Sequence, residues 1–268
     1  MKKRIISSIV LILITIFSLI CYPLFFSIVT IIILIGLYEF YYMVEKKEVR
    51  LFKLFGLVVG ALIPISIFFH FQISEGWQFF LVVLGLFLLF LLELTKKEAH
   101  QPILSISATI FGIIYISWCF SFLLRIRQLE DGVMLTAFLI VITKSSDVGA
   151  YLIGKRYGKT FLLEKVSPKK TLEGSIGGFL FSLAVGSFFS IFVKNLMLIE
   201  KFFLIMILAI ISQLGDLFES LIKRDCKVKD SGKIFPGMGG VLDVIDSLIF
   251  SAPTFYLYIT MMRSVIIE

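Results

Sequence analysis

The sequence predicts an all-α polytopic integral membrane protein of about nine transmembrane helices, with its N-terminus in the cytoplasm. Three observations point there. Of the 268 residues, 59% are hydrophobic and only 17% charged, with a mean hydropathy of +1.01; a soluble domain of this length needs more polar surface. The apolar residues fall in repeated stretches of about 20, the length at which a helix crosses a hydrocarbon core. The basic residues gather in the short links between those stretches. The alternating segments of about ten residues expected of an outer-membrane barrel are missing from the sequence.

The formal net charge of +7 would suggest a nucleic-acid partner in a soluble protein. Here the charge is topological, and no nucleic-acid partner is expected. Cys21, Cys119 and Cys226 are scattered without ligand spacing, so they indicate neither a disulfide framework nor a redox site. Met1-Lys2-Lys3-Arg4 opens like a signal peptide, but no small-residue cleavage site follows before Pro23, so the first apolar stretch reads as an uncleaved span.

Residues 5–42 are almost continuously apolar, too long for one span, and Pro23 divides them into helices at 3–20 and 24–43. Glu39, near the end of the second, reads as an interfacial charge. A charged link at 45–53 leads to a third span at 54–73, in which Pro64 removes one backbone bond. His70 reads as an interfacial residue, since no Cys, Asp or second His stands near it. Trp77 anchors a fourth span that ends at 94. A link carrying Lys96, Lys97 and a solvated His100 precedes spans at 103–124 and 133–153. The sixth span holds Lys144, Ser145, Ser146 and Asp147. Lys144 and Asp147 are three apart, so they pair within the helix or Asp147 faces a site. Residues 154–173 form a strongly basic loop. Its Ser167-Pro168-Lys169-Lys170-Thr171 run sets adjacent lysines just before a helix N-terminus, where free N–H groups favour phosphate. Gly174 and Gly178 have the spacing of a close-packing helix face, with backbone approach to a ligand as a second role. Spans at 175–193, 202–222 and 242–262 complete the chain.

Residues 1–130 thus form a lipid-facing scaffold of about five spans, and 131–268 a region of about four spans with two large polar loops. Twenty Lys and Arg residues fall on one set of links and five on the other, with Lys144 inside a span. The positive-inside rule then puts the N-terminus and both large polar loops on the cytoplasmic side of the cell membrane, the inner membrane where there are two.

The densest polar segment runs from Leu214 to Ser247. At about 100° per residue, Ser220 lies about 40° from Asp216 and Lys223 about 20° to the other side, with Glu219 flanking them. Asp243 and Asp246 are three apart and share a face if a helix starts there. Gly237, Gly239 and Gly240 before them permit a tight loop. Carboxylates converging from two helices, with lysines and a glycine loop, suit a divalent metal and a phosphate. Helix caps and snorkelling lysines are the plainer account of any one of these residues.

At these residues the sequence resembles the phosphatidate cytidylyltransferases. The matching positions are Ser220, Lys223, Arg224, Lys229, Asp230, Pro236, Gly237, Gly239, Gly240, Asp243 and Asp246. Met238 stands where that family usually has His, and Val244 where it usually has Arg. Asp147, Gly149, Ala150, Tyr151, Gly154, Lys155 and Gly158 match as well, as does the 167–171 run with Glu173, Gly174, Gly177 and Gly178. The resemblance implies cytidylyl transfer from CTP to phosphatidate, giving CDP-diacylglycerol and pyrophosphate. It implies catalytic roles for Asp216, Ser220, Lys223, Asp243 and Asp246. It implies substrate contacts from Lys169, Lys170, Lys223, Arg224, Lys229, Gly239 and Gly240. Asp147, Asp216, Asp243 and Asp246 are the implied ligands of one or two Mg²⁺, beside which a monovalent ion has room; the implied assembly is a homodimer. The alternatives are a related CTP-dependent lipid kinase or synthase, and an ion-coupled transporter that binds its ion at Asp147, Asp216 and Asp246. The transporter requires inverted halves, which the sequence lacks.

Overall fold

The computed structural model describes residues 2–71, 74–96, 101–164, 166–194 and 196–267. The expectations for Lys97, His100, Lys165 and the end of the third span at residue 73 lie outside these. The chain forms helices α1 (Lys2–Ile20), α2 (Tyr22–Glu45), α3 (Lys53–Phe68), α4 (Glu75–Leu94), α5 (Pro102–Gln128), α6 (Gly132–Tyr157), α7 (Leu172–Phe189), α8 (Leu198–Asp225) and α9 (Leu242–Ile267). A short antiparallel hairpin of β1 (Phe161–Leu163) and β2 (Ser167–Thr171) joins α6 to α7. Among the described residues, seven helices are long and apolar enough to cross a membrane, and Ser7–Ile20 and Lys53–Phe68 are shorter apolar helices. The protein is an all-helical, multi-pass membrane protein apart from that hairpin.

The local structure departs from the sequence expectation in three places. α2 begins at Tyr22, with Pro23 inside its first turn, because proline's fixed φ and missing N–H suit that position. α5 is longer than expected and passes through a π-helical stretch at Ile113–Trp118. The expected open loop at 154–173 is mostly ordered, since α6 runs on to Tyr157 and the hairpin follows. Thr171 caps α7, its Oγ1 accepting from the Gly174 N–H at 3.1 Å. The Glu173 carboxylate accepts from the N–H groups of Lys159 at 3.1 Å and Thr160 at 3.2 Å, which holds the entry to the hairpin.

The expected close-packing role of Gly174 and Gly178 is present. A Cβ at Gly178 would lie 2.6 Å from the Ser146 carbonyl oxygen on α6, and one at Gly174 would lie 3.0 Å from that of Ala150. Backbone cannot retreat as a side chain can. Gly178→Val is therefore expected to force α6 and α7 apart and cost at least the ~1–3 kcal/mol of ordinary overpacking. Thermal unfolding in detergent would register this as a lower Tm.

One hydrophobic core runs through both halves of the sequence. Ile33, Leu37 and Tyr41 of α2 and Ile116 and Leu124 of α5 are buried with Phe138 and Leu139 of α6, Leu204 and Leu208 of α8, and Ile249 and Phe255 of α9. Long-range contacts sort the helix ends into two groups. At one end, the Ser7 hydroxyl donates to the Pro236 carbonyl at 3.3 Å. There too Lys47 pairs with Asp225 at 2.6 Å, and Lys96 donates to the Arg50 carbonyl at 3.3 Å. At the other end, Arg127 donates to the Leu19 carbonyl at 2.9 Å, Gln128 to that of Ile67 at 3.0 Å, and the Tyr258 hydroxyl to that of Glu200 at 3.0 Å.

Candidate active site at one end of the helix bundle

The helical face expected on α8 exists. Asp216, Glu219, Ser220 and Lys223 all lie within one uninterrupted helix. α9 starts at Leu242, which puts Asp243 in its first turn and Asp246 one turn on. The two helices touch closely here: a Cβ at Gly215 would lie 2.6 Å from the Asp246 carbonyl oxygen. Glycine at 215 is what lets the turns that carry Asp216 and Asp246 adjoin.

Lysines pair with most of these carboxylates, one of them with two. Lys170, at the end of β2, pairs with Asp216 at 2.6 Å, and both side chains remain partly exposed. Lys144 on α6 contacts Asp147 at 3.2 Å, so the intrahelical pair does form. It also donates to the Val244 carbonyl at 2.9 Å and to Ser247 Oγ at 2.8 Å, reaching across to α9. The position where the resemblance expects arginine thus has an ammonium from another helix against its carbonyl. Lys223 is buried, ion-paired with Glu219 and 2.5 Å from Asp243 Oδ1.

Asp243 has little left to offer. Its Oδ2 accepts from the Ser231 N–H, the Ser231 hydroxyl and the Gly240 N–H, each at 2.8 Å. Asp246 is different. It is buried, and its Oδ1 accepts from the Ser247 N–H at 2.6 Å. Among the described residues no three His, Cys, Asp or Glu side chains converge as a ready metal cage. The four expected ligands, Asp147, Asp216, Asp243 and Asp246, are neighbours dispersed among lysines.

The glycine loop is tight for the expected reason. Phe235 and Gly239 exchange backbone hydrogen bonds at 2.9 and 3.0 Å, and Gly237 and Gly239 have φ of 84° and 104°. Gly240 donates to Asp243, and the next two N–H groups, Val241 and Leu242, donate to Glu39 at 3.0 and 2.9 Å. The chain's own carboxylates thus occupy the start of α9, and the expected substrate contact at Gly239 and Gly240 is left to close approach of the loop. Met238 lies with its sulfur 3.7 Å from the Ser8 hydroxyl of α1.

Glu39 is also a correction. It is buried at 5% exposure, and its Oε2 further accepts from the Ser231 hydroxyl at 3.0 Å. An α2 side chain read as an interfacial charge thus holds the loop that holds Asp243. Only its depth near the end of an apolar stretch could have hinted at this. Tyr115 was also missed. It sits in the π-helical stretch of α5, its ring against Phe218 and Phe250. Its hydroxyl is buried with no hydrogen-bond partner among the described residues, within the field of Glu219 and Asp246.

Lys169 and Lys229 are exposed, Ser220 is buried between Asp216 and Lys223, and Arg224 donates to the Val166 and Val228 carbonyls at 3.1 Å. Arg224 thereby ties the hairpin to the end of α8 instead of pointing freely outward. An apolar cavity of about 490 Å³ is lined by Ile211, Leu214, Leu217 and Leu221 of α8 with Phe250 of α9. Leu214, Leu217 and Leu221 are about 100–160° round the helix from Asp216, so this cavity is separate from the carboxylates.

Lys223 is the charge whose loss leaves most behind. Its side chain is 10% exposed, with Glu219 at 0% and Asp243 at 8%. Lys223→Met strands two buried carboxylates and is expected to cost about 3–5 kcal/mol. Adding Glu219→Gln removes one stranded charge and should recover part of that loss. A double-mutant cycle by thermal unfolding checks it.

A sequence profile of the cytidylyltransferase family matches residues 2–262. The chain is 32% identical over 261 residues to the phosphatidate cytidylyltransferase of Bacillus subtilis, covering 96% of each protein. It is 31% identical over 272 residues to that of Thermotoga maritima, covering 99% of this chain and 98% of the relative. The Synechocystis enzyme of the same name is 30% identical over 293 residues, at 98% coverage of both. With the profile and these full-length relatives spanning almost every residue, the chain belongs to the cytidylyltransferase family.

Proposed function

We propose that the chain transfers the cytidylyl group of CTP to phosphatidate, forming CDP-diacylglycerol and releasing pyrophosphate. The observation that carries this is that Asp216 and Asp246 stand on touching turns of α8 and α9, with Lys170 on Asp216 and Lys144 against Val244 and Ser247 in the turn beside Asp246. The names borne by the full-length relatives supply the substrates.

A phosphatidate phosphate oxygen attacks the α-phosphorus of CTP. A new P–O bond forms as the bond to the β-phosphate bridge oxygen breaks, and pyrophosphate leaves with that electron pair. The attacking oxygen is already ionised, so positioning and charge screening dominate over base catalysis. Asp216 and Asp246 suit Mg²⁺, which takes hard oxygen donors and is commonly held by one or two carboxylates, its other positions filled by water and substrate phosphate. Asp147 stands by for a second ion. When bound, the metal screens phosphate charge and stabilises the departing pyrophosphate. Lys170 exchanges Asp216 for a phosphate oxygen, and the exposed Lys169 and Lys229 attract the triphosphate. Ser220 orients a phosphate oxygen. Asp243, expected among the ligands, acts as the clamp that fixes Lys223 and the 231–240 loop.

The helices cross the membrane nine times, α1 and α3 included, with the N-terminus and the site on the cytoplasmic side, where CTP is. The basic links after α2, α4, α6 and α8 support this orientation, as does the contact of Ser7 with the site loop. The assembly is a homodimer, as the family resemblance implies. Purified protein given CTP, Mg²⁺ and phosphatidate tests the reaction. Pyrophosphate release should require all three, with cytidine appearing on the lipid. Release without phosphatidate, or CDP as the soluble product, would contradict it.

A further inference from the structure

Lys144 carries more interactions than a staple between α6 and α9 needs. Its ammonium has three protons and three acceptors: Asp147 Oδ2 at 3.2 Å, the Val244 carbonyl at 2.9 Å and Ser247 Oγ at 2.8 Å. Lys223, which holds the neighbouring loop, is shut away at 10% exposure. Lys144 and Asp147 instead keep 37% and 35% of their side-chain surface open. Among the described residues Lys144 contacts one carboxylate, Asp147, and through Val244 and Ser247 it lies against the turn of α9 that carries Asp246. Its departure would not orphan Asp147, because the Ser247 hydroxyl also donates to Asp147 Oδ2, at 3.1 Å.

We propose that Lys144 is a phosphate-binding residue of this site, held at rest as the counter-ion of Asp147 against the Asp246 turn of α9, and released to a substrate phosphate when a divalent cation occupies the Asp216–Asp246 pair. A cation on the carboxylates repels the ammonium, and the flexible lysine stem lets it move. The nearest anion it can then reach is a phosphate of the bound substrate. This rests on the nucleotidyl-transfer function above.

Two binding measurements on Lys144→Gln carry the test, and neither uses turnover. Mn²⁺ binding without nucleotide, read by electron paramagnetic resonance, should tighten, because the competing charge is gone. CTP binding with Mg²⁺ but without phosphatidate, read by calorimetry, should weaken by about 10–100-fold, the scale of one hydrogen bond to a charged group. Lys144→Arg should restore CTP binding. A staple alone predicts that both ligands bind more weakly together, and that result overturns the proposal. So does CTP binding within twofold of the native protein. If Lys144→Gln fails to fold, Ser247→Ala loosens the resting contact and keeps the charge; Mn²⁺ should again bind more tightly, and weaker binding overturns the proposal. Native protein that releases pyrophosphate beside a Lys144→Gln variant with native CTP affinity sinks this inference alone. Native protein that releases none sinks the transfer function, while the direction of the Mn²⁺ shift still decides whether Lys144 is the counter-ion.

Discussion

Asp246→Asn is expected to reduce pyrophosphate release by about 100–1,000-fold, the range for removing one preorganised electrostatic contact from a transition state. The substitution keeps the shape of the side chain and an oxygen for the Ser247 N–H, which donates to Asp246 Oδ1 at 2.6 Å. It removes a charge from a buried position, where an ionised carboxylate is costly to hold without a partner. Thermal stability should therefore hold or rise while turnover collapses. Those opposite directions separate a loss of chemistry from a loss of fold. Assay at saturating Mg²⁺ matters, since a merely weakened metal site would recover there. Near-native turnover in a folded Asp246→Asn protein would remove Asp246 from the mechanism.

Glu39→Ala is expected to destabilise the protein strongly. The Glu39 carboxylate receives the Val241 and Leu242 N–H groups and the Ser231 hydroxyl. Gly232 and Gly240 lie so close that a Cβ on either would strike its oxygens. Truncation leaves the Val241 and Leu242 N–H groups at the start of α9 facing a void, at about 1–3 kcal/mol for each buried donor left unsatisfied. Ser231 also holds Asp243, so activity should fall with stability. Hydrogen exchange gives the specific signature: the amides of Val241 and Leu242 should lose protection before those of α6. Unchanged exchange at those two amides would mean that α2 does not hold the site loop.

The α8 face was legible because helical spacing alone determines which residues share a side. Asp216, Ser220 and Lys223 follow that period, and nothing in the tertiary structure interrupts the helix. The glycine loop was legible for a similar reason, since Gly237 and Gly239 take the positive φ that only glycine adopts freely. What the loop does with its amides was not legible. Glu39 and Leu242 are 203 residues apart in the chain, and no local period links them. The lysine partners were equally hidden. Composition places lysines near carboxylates, but only packing decides that Asp216 takes Lys170 and Asp243 takes Lys223. The hairpin escaped because its strands are three and five residues long, and Ser-Pro-Lys-Lys-Thr shows no clean apolar alternation.

In the proposed mechanism carboxylates from α8 and α9 share one cation. Crystals soaked in Mn²⁺ with CTP test it most directly, through the anomalous signal of the metal. The peak should lie about 2 Å from an oxygen of Asp216 and an oxygen of Asp246 together, the bond length of a hard octahedral ion, with Lys170 drawn off Asp216. A peak held by one of these helices alone, or none within reach of either carboxylate, would contradict it.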